Sequence, residues 1–236
     1  MRTAANRFAA SLTVLLLALA SSCSKPREQG NASPQEPVGA RAAASITEYI
    51  DLMLREDDDM APNQRTVLEK ARGNGGSISQ GDYVAAWMAY RQCMMDKGYA
   101  NPPLHRVNGI YLDTVKTSSS GMSEAQTRKL DDDLAYCQTY HVSSVDVIYR
   151  MNIGNPQLYS NSDEALVDCL HRHDLVPKEY NAERFNKESL SNTYSFDFSD
   201  SQTRTCIAAT APTLLMGEVE PWEPYKTSGG MQSTRP

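Results

Sequence analysis

Apolar residues recur at helical spacing along most of this chain. The clearest case lies between Gly76 and Tyr99, where Tyr83, Trp87, Tyr90 and Met94 fall on one face of a helix. Ser79 is a good N-cap, with Asp82 three residues on, and Gly98 is a natural left-handed stop. Upstream, Ser45 precedes a stripe of Ile46, Tyr49, Ile50, Met53 and Leu54, and a shorter helix is predicted over Asn63 to Ala71. Downstream, Ser123 and Gln126 form a capping box for a helix ending near Tyr140, with Leu130, Leu134 and Cys137 on one side.

The second half of the chain is less regular. A short helix is expected over Val145 to Arg150, stopped by Asn155-Pro156, and another begins at Ser162 with Leu166, Cys169, Leu170 and His173. A last helix over Ser201 to Ala211 surrounds Cys206. Val107, Ile110, Leu112 and Val115 read as extended chain, Leu175 to Leu190 has no firm pattern, and Ser191 to Ser199 suits a strand or a loop. The expected fold is mainly α, a small helical body with irregular loops. Its expected segments are a leader (1–22), a tether (23–44), helical units at 45–152 and 153–215, and a loose tail (216–236).

The ends alter this picture. Met1 to Ser22 has Arg2 and Arg7, an apolar run from Phe8 to Ala20, and small residues before Cys23, the pattern of a secretory signal peptide. Its last stretch, Leu19-Ala20-Ser21-Ser22-Cys23, resembles the lipobox of bacterial lipoproteins. That resemblance implies cleavage before Cys23 and a thioether-linked diacylglycerol on it, so the membrane becomes a partner through Cys23. The chain departs from the usual pattern in carrying Ala20 where a Leu is common, with Leu19 one step further away. Ala20 and Ser22 also satisfy ordinary cleavage at the same bond. Ser24 to Ala44 has Pro26, Gly30, Pro34, Pro37 and Gly39 and almost no large apolar residue, the composition of a disordered tether.

Four cysteines remain: Cys93, Cys137, Cys169 and Cys206. In an exported chain an even number points to a disulfide framework, for which three pairings are open. Cys93 and Cys169 each sit near a helix end, followed six residues later by Tyr99 and Leu175. Cys137 and Cys206 follow Asp131 and Asp200 by the same interval. This faint repeat favours Cys93–Cys137 and Cys169–Cys206, and hence two stapled helical units. The lipobox, the polar leash and the run D-Y-V-A-A-W…C-M-M-D-K-G-Y from Asp82 to Tyr99 resemble small exported actinobacterial lipoproteins, a resemblance that implies a surface location and no known chemistry.

Charge and motifs exclude more than they assign. A net charge of −6 in 236 residues argues against nucleic acid as a partner. Glycine-rich phosphate loops, nucleophile elbows and zinc-protease motifs do not occur, so no catalytic residue and no cofactor is expected. The turn near Gly76 has the outline of a calcium loop, but Ala71, Gly73 and Gly75 stand where ligating oxygens belong. Cys169, His171 and His173 could be drawn as a zinc cluster, yet residues two apart diverge on a helix. His173 is expected at the core edge and His171 in solvent, His105 and His141 have no evident partner, and Asp131 to Asp133 read as a wet face. The expectation is a membrane-anchored binding or envelope-supporting module for an unidentified protein or small molecule. Its rival is an envelope-modifying enzyme working through carboxylates.

Overall fold

The computed structural model describes residues 38–57, 59–112, 116–118 and 121–225. The fold is mainly helical, as the periodicity implies, and the helices begin where side chains can accept their first free backbone N–H groups. Ser45 caps α1 (Ile46–Glu56), and Pro62 opens α2 (Pro62–Gly73). Ser79 accepts from the Asp82 backbone at the start of α3 (Gln80–Asp96), and the Ser123–Gln126 capping box starts α4 (Glu124–His141). Between them, β1 (Arg106–Val107) and β2 (Ile110–Tyr111) form a hairpin, Arg106 opposite Tyr111 and Val107 opposite Ile110. Its turn is Asn108-Gly109, both at positive φ (49° and 90°), the pair this tight turn demands.

α5 (Ser143–Gly154) runs past the expected end at Arg150 and is the hinge of the packing. No residue of its own caps it. Gln64, from α2 and only 1% exposed, accepts from the Ser144 and Val145 N–H groups and donates to the Thr139 and Tyr140 carbonyls. One buried amide thus satisfies the end of α4 and the start of α5, which buried backbone groups require. At its far end α5 crosses α8 at Gly154, where a Cβ would stand 2.5 Å from that of Ala209.

α6 (Ser162–Arg172), α7 (Ala182–Ser191) and α8 (Ser201–Thr210) complete the helices, followed by a 3₁₀ stretch over Pro212–Glu218. Residues 192–199 form a loop, in which Tyr194, Phe196 and Phe198 pack against one another. Both disulfides have the expected pairing, Cys93–Cys137 joining α3 to α4 and Cys169–Cys206 joining α6 to α8. The faint repeat has a backbone counterpart. Five residues after Cys93 and after Cys169 the chain turns left-handed, at Gly98 and Asp174. The next N–H in each case, of Tyr99 and Leu175, closes back onto Met94 and Leu170, capping the helix in the same way.

Two apolar clusters form, one around Trp87, Tyr83 and Leu130 and the other around Leu166, Leu170 and Ile207. They do not respect a boundary near residue 153. Ile110 and Leu112 join the second cluster, Trp222 joins the first, and Tyr149 packs against both.

The ends of the body correct two expectations. The tether was expected to run loose to Ala44, but residues 40–42 pair with 158–160: Ala42 N–H donates to the Leu158 carbonyl and Ser160 N–H to that of Ala40, each at 2.9 Å. The tail was expected to be loose from residue 216, yet Trp222 is 6% exposed and exchanges backbone hydrogen bonds with Lys116 and Ser118 at 2.7 Å. Backbone pairing holds both segments, and it leaves no mark in hydropathy. Residues 226–236, 1–37 and Cys23 lie outside the described residues. Among those described, no helix is long and apolar enough to cross a membrane.

Candidate functional site

A cleft of about 520 Å³ opens between α6, the start of α7 and residues 38–39, a size that suits a small molecule. α6 supplies one wall because of its sequence period. Leu166, Cys169 and Leu170 turn into the core, while Glu164, Val167, Asp168 and His171 line the cleft. Asn161 caps the helix, its Oδ1 accepting from the Asp163 and Glu164 N–H groups at 2.8 and 3.1 Å. Glu164 therefore sits in the first turn, where the helix dipole favours a negative charge.

The opposite wall is the entry to α7, capped by Asn181, together with Tyr180. His171 is half-buried and bonds through Nε2 to the Tyr180 carbonyl at 2.8 Å. His173, beyond the helix end, is exposed. The two histidines thus exchange the environments expected of them, because α7 approaches the side of α6 that carries His171. The third edge is the docked strap of residues 38–42. Both Glu164 carboxylate oxygens accept from the Gly39 N–H, at 3.0 and 3.1 Å, and the Arg41 guanidinium lies 4.7 Å from the centre of the Tyr159 ring.

The charges around the cleft are unevenly matched. Asp168 pairs with Arg172 at 2.8 Å and Glu183 with Lys187 at 2.7 Å, each one helical turn apart. Glu164 has no cationic partner among the described residues. Among the described residues no Lys or Arg lines the cleft.

Behind this site, Tyr180 donates to Glu188 at 2.7 Å, and Glu188 also accepts from Arg184 and from both the N–H and hydroxyl of Ser195. Burial would raise the Glu188 carboxyl, but these bonds outweigh it and hold the group at about 2, below its ordinary 4.5. Burial first, then the bond to Glu188, pushes the Tyr180 phenol upward. Asp133 is not the wet residue expected. It meets Lys97, Lys129 and the Tyr99 hydroxyl, which overcome the effect of burial and keep it well below the usual carboxylate range. A carboxylate with a depressed folded value adds stability above its unfolded value and loses it as pH falls toward the folded one. The urea midpoint of the protein is therefore expected to fall between about pH 4.5 and 2, and Glu188→Gln to flatten part of that fall. An unchanged slope in the variant would remove Glu188 from the account.

The remaining candidates are placed as follows. Cys169, Cys206 and His173 bring their ligand atoms within 4.8 Å of one another, but the two sulfurs are bonded together and offer no thiolate. Asp82, at the end of the calcium-like loop, is taken up by Lys70 and Ser79. His105 Nε2 and His141 Nδ1 are buried and find no hydrogen-bond partner among the described residues, and burial lowers the His141 value. Of the cleft residues only His171 is weighed from sequence as a candidate ligand, and there for zinc. The spacing of Glu164, Val167, Asp168 and His171 after a strong Asn161 cap was the available signal.

Fold and site together define a class: a doubly disulfide-linked helical body with an open cleft at its α6–α7 edge. No protein-family model, curated protein or solved structure matches the chain.

Proposed function

We propose that this is an extracytoplasmic lipoprotein, held to the membrane through a diacylglycerol on Cys23, whose helical body is a binding module of the cell envelope. The observation that carries this reading is the fate of the cysteines. Four of five are joined in two disulfides, as in an oxidising compartment, and Cys23, directly after an export-type leader, is the one left over. A free thiol at the start of an exported protein is a liability, and lipid attachment removes it. Two acyl chains supply the second anchoring signal that one chain lacks.

The cleft supports binding over catalysis. Its Asp168 and Glu183 are tied to Arg172 and Lys187, and Glu164 to a backbone N–H, an arrangement that holds shape rather than moving protons. The test of the anchor is Cys23→Ala. The variant is expected to leave the membrane fraction and to take up no labelled fatty acid. If it stays with the membrane, the lipid anchor is refuted.

A further inference from the structure

The cleft between α6, α7 and the strap combines three features that ask for the same ligand chemistry. The first is Glu164, a half-buried carboxylate on the cleft wall with no cation beside it among the described residues. Its carboxylate lines the cleft and meets only the Gly39 N–H, with no side-chain cation to balance it among the described residues. The second is the aromatic content. Tyr159 and Tyr180 both line the cleft, and each already carries a guanidinium over its ring: Arg41 at 4.7 Å and Arg184 at 5.3 Å. The protein itself thus places cations against both rings, although neither arginine lines the cleft. The third is apolar wall, from Val167 and Ala182, in a volume of about 520 Å³. Val38, 95% exposed, stands at the rim beside Gly39, so the cleft opens to solvent there.

We infer that this cleft binds a small organic cation, an ammonium group on an apolar body, with the ammonium against Glu164 and the body against Val167 and the two tyrosines. An inorganic cation would leave the apolar wall unused. An anion would meet Glu164, Asp168 and Glu183 with no Lys or Arg among the described residues lining the cleft to receive it. This inference rests on the binding-module reading and names its ligand class.

The test uses the purified full chain in detergent, titrated with benzylammonium chloride, with benzyl alcohol as the neutral counterpart and benzoate as the anion. Calorimetry or ligand-observed NMR is expected to show one saturable site for benzylammonium. The affinity should be about tenfold or more above that for benzyl alcohol, with no binding of benzoate. Glu164→Gln keeps an amide oxygen for the Gly39 N–H and so preserves the strap. It should erase the preference for the ammonium. Asp163→Asn, in the same helical turn but not lining the cleft, should leave affinity within about twofold, which separates the cleft charge from the helix-dipole effect. Equal binding of ammonium and alcohol, absence of ammonium binding, or an undiminished preference in Glu164→Gln would each overturn the inference. Membrane fractionation of the Cys23→Ala variant is read independently, so failure of amine binding with anchorage intact removes this ligand and leaves the anchor standing.

Discussion

Asp146→Ala is expected to cost about 3–5 kcal/mol, the usual consequence of removing one partner from a buried ion pair. Asp146 and Arg150 lie one turn apart on α5, each side chain 7% exposed, with Arg150 Nε 2.5 Å from Asp146 Oδ2. Asp146 Oδ1 also accepts from the Tyr83 hydroxyl at 2.7 Å and from Trp87 Nε1 at 3.1 Å, both on α3. Arg150 donates onward to the carbonyls of Ala208 on α8 and Tyr111 on β2, and the Tyr83 hydroxyl accepts from the Tyr111 N–H at 3.0 Å. The pair thus ties α3, the hairpin and α8 to α5 at the seam between the two apolar clusters. Losing the carboxylate leaves a guanidinium charge buried, against a total stability of ~5–15 kcal/mol for an ordinary domain. Urea unfolding followed by near-ultraviolet dichroism measures the loss, and a change under about 1 kcal/mol would contradict the role given to this pair. Replacing both residues together, Asp146→Leu with Arg150→Met, removes the lone buried charge but also strips Tyr83, Trp87 and the Ala208 and Tyr111 carbonyls of these partners, so only part of the loss should be recovered.

Removing a disulfide is the other large effect. Cys93–Cys137 closes a separation of 44 residues and Cys169–Cys206 one of 37. In the chain-entropy model each constraint on the unfolded chain is worth about 4 kcal/mol. The paired change of Cys93 and Cys137 to Ala, or of Cys169 and Cys206, should therefore lower stability by up to that amount, and all four changes together should leave little folded protein. The second pair carries a further burden. Both of its sulfurs lie in the cluster with Leu166, Leu170 and Ile207, where Ala leaves unfilled volume. Equilibrium unfolding of each double variant, with peptide mapping under non-reducing conditions for the parent, reads both claims. Full-strength folding of the all-alanine chain would show that the helices pack adequately without these links.

Much of the helical layout was legible because its causes are local. Ser45, Ser79 and Ser123 cap from within their own first turn, and the face of Tyr83, Trp87, Tyr90 and Met94 is a property of spacing. The hairpin is equally local: Val107-Asn108-Gly109-Ile110 contains the Asn-Gly turn pair between apolar residues. The extent of α5 was not legible. Its first N–H groups are capped by Gln64, some 80 residues earlier in the chain, and no pattern near Ser143 announces that. Asp146 and Arg150 stand four residues apart in the sequence, and only the packing of α3, β2 and α8 around them makes the pair buried.

The sequence by itself determined the helical class, the starts of most of its capped helices, and a pairing of four cysteines that the faint repeat favoured. These follow from periodicity, from side chains that satisfy their own backbone, and from the parity of thiols. Only the tertiary structure decided that the strap docks through backbone hydrogen bonds and that Trp222 is held at the core. It also brought Glu164 to the wall of a cleft, with no cation beside it among the described residues. Each of these depends on donors, acceptors and charges brought together from distant parts of the chain, up to 125 residues apart for Gly39 and Glu164. Such meetings are settled by packing, which composition and spacing do not encode.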